Sequence, residues 1–130
     1  MQAQSMNKHE HYDKLVRGTS PLRSNQRLIF NMRSGTIVFN LDDELIIGRA
    51  DRVSETKSVN LSGFGGLGAG VSRQHAYIVR GQNGQVFVGD LNSSNGTYLN
   101  EDRLLQEELY PLDSGDVLRL GSMVIHVLFE

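Results

Sequence analysis

The sequence contains no cysteine and no tryptophan, and only 2 of its 130 residues are proline. Without cysteine the chain can form neither disulfide bonds nor thiolate metal sites. No stretch reaches the roughly eighteen consecutive apolar residues of a membrane-spanning helix, and the first twenty residues lack the apolar core of a signal peptide. We therefore expect a cytoplasmic protein with no membrane contact.

The chain also lacks a large excess of positive or negative charge. The chain has 13 Lys and Arg against 15 Asp and Glu, and its basic residues are spread without a long run. Nucleic-acid binding requires clustered basic residues that neutralise successive phosphates, so we expect no nucleic-acid partner. The hydrophobic share of 38% and the 14 glycines are typical of one globular domain with many turns.

The chain divides into two parts. Residues 1–25 are polar and lack helical or strand periodicity, which predicts a disordered arm, and residues 26–130 form the predicted domain. His9 and His11 lie in the arm, but two ligands on a flexible segment do not make a closed metal site. No metal or other cofactor is predicted.

The domain consists of short apolar or alternating runs bounded by Gly, Asn, Asp or Ser, as β-strands are. The predicted strands are 28–32, 36–41, 44–48, 75–80, 85–90, 96–100, 116–120 and 123–129. Turn residues at 33–35, 81–84 and 121–122 predict hairpins between neighbouring strands. Many short strands at close spacing favour an all-β sandwich or barrel. Residues 50–71 have no convincing strand and predict a long loop, which is usually functional or mobile.

Two patterns suggest catalysis or cofactor binding. The spacing of Gly63, Gly65 and Gly68 matches a dinucleotide fingerprint, but a strand pattern follows it where that fingerprint requires a helix. Ser72 and His75 offer a hydroxyl and a base, yet no Gly-x-Ser-x-Gly turn surrounds the serine. We therefore predict that the protein is not an enzyme, with a hydrolase as the third alternative behind two kinds of binding module.

Three short motifs at strand ends carry more information: Gly48-Arg49, Ser72-Arg73-x-His75, and Asn95-Gly96-Thr97 within 92–100. Loops of a sandwich cluster at its ends, so the three motifs can converge. The Arg49 guanidinium would then offer a planar donor fork, the Ser72 hydroxyl a further donor, and the Asn95 amide a partner for peptide backbone.

This set of donors suits a phosphorylated peptide. A phosphate on a side chain carries about −1.5 to −2 charge and three acceptor oxygens, and charge-assisted hydrogen bonds to it are strong. His75, one residue before an apolar strand, is predicted to be a buried hydrogen-bonded brace for the loops.

In this order and strand context the three motifs resemble the signature of forkhead-associated (FHA) domains. The resemblance covers about 28–129, including Asp113-Ser-Gly-Asp116 and Leu120-Gly121 near the end. It implies an eleven-stranded β-sandwich whose apical loops bind phosphothreonine in extended peptides during signal transduction, without catalysis.

Carried over by position, Arg49 and Ser72 resemble the family's phosphate contacts, and Asn95 resembles the residue that holds the ligand main chain. Ser94 and Arg73 would be secondary contacts. Arg73 departs from the family pattern, in which asparagine is frequent at this position. Its positive charge either adds to the binding of the phosphate or meets an acidic residue of the ligand. The predicted structural, loop-bracing residues are Gly48, His75 and Gly96.

Two further hypotheses about the function stay open. The same fold can serve as a phospho-independent interaction or oligomerisation domain, although the presence of Arg49, Ser72 and Asn95 together argues against it. Thr19 is the only threonine of the arm, so a phosphorylated arm of one copy could also bind the domain of another.

Overall fold

The structure is a computed structural model that describes residues 20–50 and 56–130. In these residues eleven strands alternate with turns, and the helical structure is two 3₁₀ turns, Ser62–Phe64 and Gln82–Gly84. The strands are β1 (Leu28–Met32), β2 (Gly35–Phe39), β3 (Glu44–Gly48), β4 (Lys57–Asn60), β5 (Ala76–Arg80), β6 (Val86–Asp90), β7 (Thr97–Leu99), β8 (Asp102–Arg103), β9 (Tyr110–Leu112), β10 (Val117–Leu120) and β11 (Met123–Phe129). Within the described residues no helix is long and apolar enough to cross a membrane.

The strands form two sheets. One has six strands in the order β2-β1-β11-β10-β7-β8, and the other has five in the order β4-β3-β5-β6-β9. Neighbouring strands are antiparallel except β3 and β4, which are parallel. This arrangement confirms the predicted all-β, eleven-stranded sandwich.

The core between the sheets follows from strand alternation. Along β11 the side chains of Met123, Ile125, Val127 and Phe129 are buried, while those of the residues between them face outward to different degrees. Phe30 and Leu118 from the same sheet meet Ile47 and Ile78 from the other, all fully buried. Truncating such a side chain to Ala costs about 2–5 kcal/mol, so the core fixes the strand ends from which the apical loops extend.

All eight strands predicted from the pattern are present, three with the predicted bounds and five with ends that differ by one or two residues. The pattern missed β4, β8 and β9, which have only two to four residues and therefore show no periodicity. The prediction of one uninterrupted loop over residues 50–71 was wrong, since β4 pairs with β3 and buries Val59. A neighbouring strand stabilises β4, and the sequence around Val59 does not reveal that neighbour.

The packed chain begins before residue 26, where the predicted domain starts. The Leu22 side chain is 1% exposed, and the Leu22 N–H donates to the Gly84 carbonyl at 2.8 Å. The Leu22 carbonyl also accepts a hydrogen bond from the Arg80 guanidinium. Residues 1–19 of the predicted arm, which include Thr19, lie outside the described residues.

Candidate functional site

The end of β3 and the residues that precede β5 meet at Gly48. The Arg49 N–H donates to the carbonyls of Ser72 and Arg73 at 3.2 and 3.0 Å, and the Ala50 N–H donates to the Arg73 carbonyl at 3.1 Å. A Cβ atom on residue 48 would collide with the Arg73 carbonyl. Glycine is therefore required at this position so that the first two motifs can touch through their backbones.

The Arg49 side chain is half-buried and held from one side. Its Nε donates to the Val71 carbonyl at 2.6 Å. This bond does not use the two terminal nitrogens, whose four N–H groups form the planar fork that suits phosphate oxygens. The guanidinium is thus oriented at the mouth of β3 before any ligand arrives.

The Ser72 hydroxyl joins the second motif to the third. Its Oγ accepts a hydrogen bond from the Ser94 N–H at 3.1 Å. Because a hydroxyl can accept and donate at once, the Ser72 O–H remains suited to donate to a ligand oxygen. Arg73, the next residue in the chain, and Ser94 are both exposed.

His75 lies beneath these loops and is fully buried. Its Nδ1 accepts from the Ser72 N–H at 3.0 Å, and its Nε2 donates to the Gly96 carbonyl at 2.9 Å. Burial lowers the pKa of His75, although the bond to Gly96 and the negative charge of Asp90 act in the opposite direction. The neutral imidazole therefore ties the second motif to the third.

A second brace, which the sequence analysis missed, supports the third motif. The buried Asp90 carboxylate accepts hydrogen bonds from the hydroxyls of Ser93 at 2.6 Å and Thr97 at 2.7 Å, and from the Ser93 N–H at 3.1 Å. Ser93 Oγ in turn accepts from the N–H of Gly96, whose φ of 89° lies in the left-handed region. The available signal was an Asp three residues before a Ser at a strand end, a common side-chain to backbone turn pattern.

Asn95 is exposed on the loop that this brace shapes. Its Nδ2 donates to the Gly70 carbonyl at 2.9 Å. An amide carries two N–H groups and an oxygen, so this single bond leaves capacity for a peptide main chain. The structure thus brings Arg49, Ser72 and Asn95 to one end of the sandwich.

The Gly-rich segment before Ser72 is folded by its own backbone hydrogen bonds. Gly65 accepts from the Ala69 N–H at 3.1 Å, and Gly66 accepts from the Val71 N–H at 2.8 Å. Gly66 packs against the Arg49 side chain and Gly70 against the Asn95 amide, where added Cβ atoms would lie 3.2 Å and 2.6 Å from them. This segment therefore forms the apical surface between Arg49 and Asn95.

The catalytic and cofactor patterns are not assembled. The glycine triplet begins inside the three-residue 3₁₀ turn Ser62–Phe64, whereas a dinucleotide site needs the start of an α-helix after the glycines. The His75 imidazole bonds to the backbone of Ser72 and not to its hydroxyl, so it is not placed as a base for that serine. In the described ranges no three His, Asp or Glu residues are grouped so that they could hold a metal ion.

Comparison with known proteins agrees with this geometry. The family model of the FHA domain matches residues 45–121, more than half of the chain. A solved structure from a structural and functional analysis of phosphothreonine-dependent FHA domain interactions is 29% identical, with a TM-score of 0.57 over 81% of this chain and 96% of that one. The FHA domain of FhaA, solved in complex with the intracellular domain of Rv3910, is 30% identical, with a TM-score of 0.56 over 79% of this chain and 99% of that one.

One curated relative extends beyond such a domain. The Arabidopsis thaliana homolog of PPP1R8, a protein phosphatase 1 regulatory inhibitor subunit, is 42% identical over 52 residues. Those residues are 40% of this chain and 14% of the relative. The shared part is thus a small fraction of a longer protein, and the family match together with the two-sheet fold shows that this chain belongs to the forkhead-associated (FHA) domain family.

Proposed function

We propose that the chain is a non-catalytic module that binds protein segments carrying phosphothreonine. The observation that carries this proposal is the convergence of the Arg49 fork, the Ser72 hydroxyl and the Asn95 amide on loops braced from below. The 29% identical structure described in terms of phosphothreonine-dependent interactions supports the same ligand class.

The three groups would contact different parts of the ligand, because they offer different hydrogen-bonding atoms. The Arg49 fork and the Ser72 O–H would donate to phosphate oxygens, in charge-assisted bonds about twice as strong as neutral ones. Asn95 would pair with the main chain beside the phosphorylated residue. Arg73 and Ser94, which are both exposed, would make secondary contacts.

Loops that are already ordered before the ligand binds favour a higher affinity. The loops need little ordering on binding, because the Asp90 carboxylate and the His75 imidazole already hold their backbones. Binding then loses less conformational entropy than a flexible site would lose. The site also needs no metal to neutralise the phosphate, since the guanidinium supplies the positive charge.

An oriented phosphothreonine peptide library tests the proposal and gives the preferred neighbours of the phosphothreonine. The selected peptide is then titrated with and without its phosphate. We expect binding that disappears when the phosphate is removed. Equal affinity for both forms would favour a phospho-independent interaction domain of the same fold.

A further inference from the structure

In the described residues the two sheets have four edge strands, and three of these carry features that discourage pairing with another chain. β4 carries Lys57, β8 consists of the charged residues Asp102 and Arg103 alone, and β9 has Pro111 at its centre. Short length, charged side chains and proline are the means by which native edge strands avoid edge-to-edge association. The fourth edge strand, β2, differs from the other three.

β2 has none of these protections. Its five residues, Gly35–Phe39, are uncharged, contain no proline and pair with β1 in unbroken register without a bulge. Within residues 20–50 and 56–130, β1 is the one strand that pairs with β2, so the other side of β2 presents backbone N–H and C=O groups. Thr, Ile, Val and Phe all favour strand structure. β2 is thus an open template for a further strand.

β2 is also apolar on the outer face of its sheet. Val38 is 45% exposed, whereas Ile37 and Phe39 are partly buried and pack against the core. On the outer face Val38 lies beside Ile29, and Ile29 lies beside Leu128. These three side chains form one apolar row across β2, β1 and β11, and a strand added to β2 would extend the row and cover Val38.

The charges at the two ends of β2 suit a second copy of the chain. Arg33 lies five residues before Val38 and Asp43 lies five residues after it, and both are exposed. Opposite residues of an antiparallel pair lie on the same face, so a two-fold axis at Val38 places this residue opposite its own copy. The same register brings Arg33 of each copy towards the partner's Asp43, which makes the charges complementary.

We propose that β2 is the interface of a homodimer, in which two copies pair antiparallel about Val38 and join their six-stranded sheets into one continuous sheet. Such an interface is isologous and closes after two copies. Because a five-residue strand buries a small area, we expect a transient dimer in exchange with the monomer.

This dimer would leave the proposed phosphopeptide sites uncovered. β2 begins at the same end of the sandwich as that site, since the Ser34 hydroxyl donates to the Phe64 carbonyl, at the start of the Gly-rich segment, at 2.9 Å. Antiparallel pairing then points the two apical ends in opposite directions. One dimer would therefore hold two phosphorylated partners; this consequence rests on the proposed function, whereas the dimer itself does not.

Sedimentation velocity of the full, unphosphorylated chain over a concentration series tests the proposal. We expect an equilibrium between monomer and dimer without larger species. Val38→Lys places two like charges opposite each other at the axis and should raise the dissociation constant of the dimer at least about tenfold. The matched control is Val124→Lys, at a valine of 41% exposure on the interior strand β11 of the same sheet, and it should associate like the wild type.

Charge reversal tests the register. Arg33→Glu alone sets a carboxylate against the partner's Asp43 at both ends of the interface and should weaken the dimer about threefold or more. Adding Asp43→Arg to that variant makes both pairs opposite in sign again and should restore the wild-type dissociation constant. Failure of the double variant to recover would contradict the pairing about Val38.

The remaining outcomes separate this inference from others. A chain that stays monomeric throughout the series, or association that Val38→Lys does not change, would overturn it. Growth beyond the dimer would overturn it as well, because it would show open aggregation and not a closed interface. Arg49→Ala should dimerise like the wild type, and loss of the dimer in that variant would assign self-association to the apical loops. Phosphopeptide titration at concentrations where the chain is monomeric tests the proposed function separately.

Discussion

The Nε2 atom of His75 lies 2.9 Å from the carbonyl oxygen of Gly96, and this hydrogen bond joins two loops that are 21 positions apart in the chain. A carbonyl can only accept, so Nε2 carries the proton. The Nδ1 atom must then be unprotonated, because it accepts from the Ser72 N–H. The geometry therefore requires a neutral imidazole with one particular tautomer.

Acidic pH should lower the free energy of unfolding through the protonation of His75. Burial lowers the pKa of His75 below its ordinary 6.5, so in the window between the two values the unfolded chain binds the proton and the folded chain does not. The His75 contribution to the free energy of unfolding is therefore complete above pH 6.5 and is lost as pH falls through the lower pKa of the folded state. Urea unfolding at steps from pH 8 to pH 5 measures it.

The control for this pH dependence is His75→Gln, whose amide does not titrate. The variant should lose part of the wild-type decline between pH 6.5 and pH 5. An identical pH profile in both proteins would mean that other groups cause the decline.

Replacement of His75 by Ala should destabilise the protein by about 1–3 kcal/mol, because it leaves the Ser72 N–H and the Gly96 carbonyl buried without this partner. Phosphopeptide affinity should fall as well, since both loops carry residues of the proposed binding site. Thermal melting and peptide titration measure the two effects. His126→Ala, an exposed histidine on β11, should melt like the wild type. Wild-type melting of His75→Ala with abolished binding would instead make the imidazole a direct ligand contact.

Gly48→Ala should disturb the site through the backbone. The added Cβ would overlap the Arg73 carbonyl, which must move and lose its bonds from the N–H groups of Arg49 and Ala50. Overpacking of this kind costs about 1–3 kcal/mol. Gly63→Ala is the matched control, because nothing lies within 4 Å of its added Cβ. Equal melting temperatures of the two variants would contradict the close approach at Gly48.

Much of the fold could be predicted from the sequence because long alternating strands show a period of two residues. The short strand β4 could not, since its burial depends on pairing with β3. The same reason applies to the packing of Leu22, a single apolar residue in a polar segment, whose partners Arg80 and Gly84 are far along the chain.

The candidate site was predictable in part for a related reason. The motifs around Arg49, Ser72 and Asn95 have recognisable residue types in a fixed order, so their convergence could be expected. The Asp90 brace has the local appearance of an ordinary turn, and only the fold shows its carboxylate buried beside Thr97. Residues that shape a site through hidden hydrogen bonds leave a weaker pattern than residues that present donors to a ligand.

Arg49→Ala should leave the fold intact and weaken phosphopeptide binding at least tenfold, because it removes charge-assisted bonds worth about 1.5–3 kcal/mol each. Arg49→Lys should also bind poorly, since an ammonium group cannot reproduce the planar fork or the bond from Nε to the Val71 carbonyl. Isothermal titration with one phosphopeptide measures both. Arg23→Ala removes the same charge beside Leu22, away from the site, and should bind normally. Unchanged affinity in a folded Arg49→Ala protein would refute the site.

The proposed site should accept a phosphate group and reject a carboxylate. One peptide is prepared with phosphothreonine, phosphoserine, Glu or unmodified Thr at the same position. A carboxylate has one charge and two oxygens in a plane, so it cannot engage the Arg49 fork and the Ser72 hydroxyl as a tetrahedral dianion can. The Glu peptide should therefore bind almost as weakly as the unmodified one. Phosphoserine should fall between, because it lacks a methyl group worth up to about 0.8 kcal/mol when buried and has a less restricted side chain.

The pH dependence of these titrations provides an internal check. The second phosphate pKa is about 6, so affinity for the phosphothreonine peptide should fall as pH drops through that value and a protonated oxygen replaces an acceptor. The Glu peptide should show no such change there, because its carboxyl group titrates near pH 4.3. Since the fold also weakens in this range through His75, each titration is restricted to pH values at which the free protein remains folded. A Glu peptide that bound as tightly as the phosphothreonine peptide would make the site a general acidic pocket, and the roles given to Arg49 and Ser72 would be wrong.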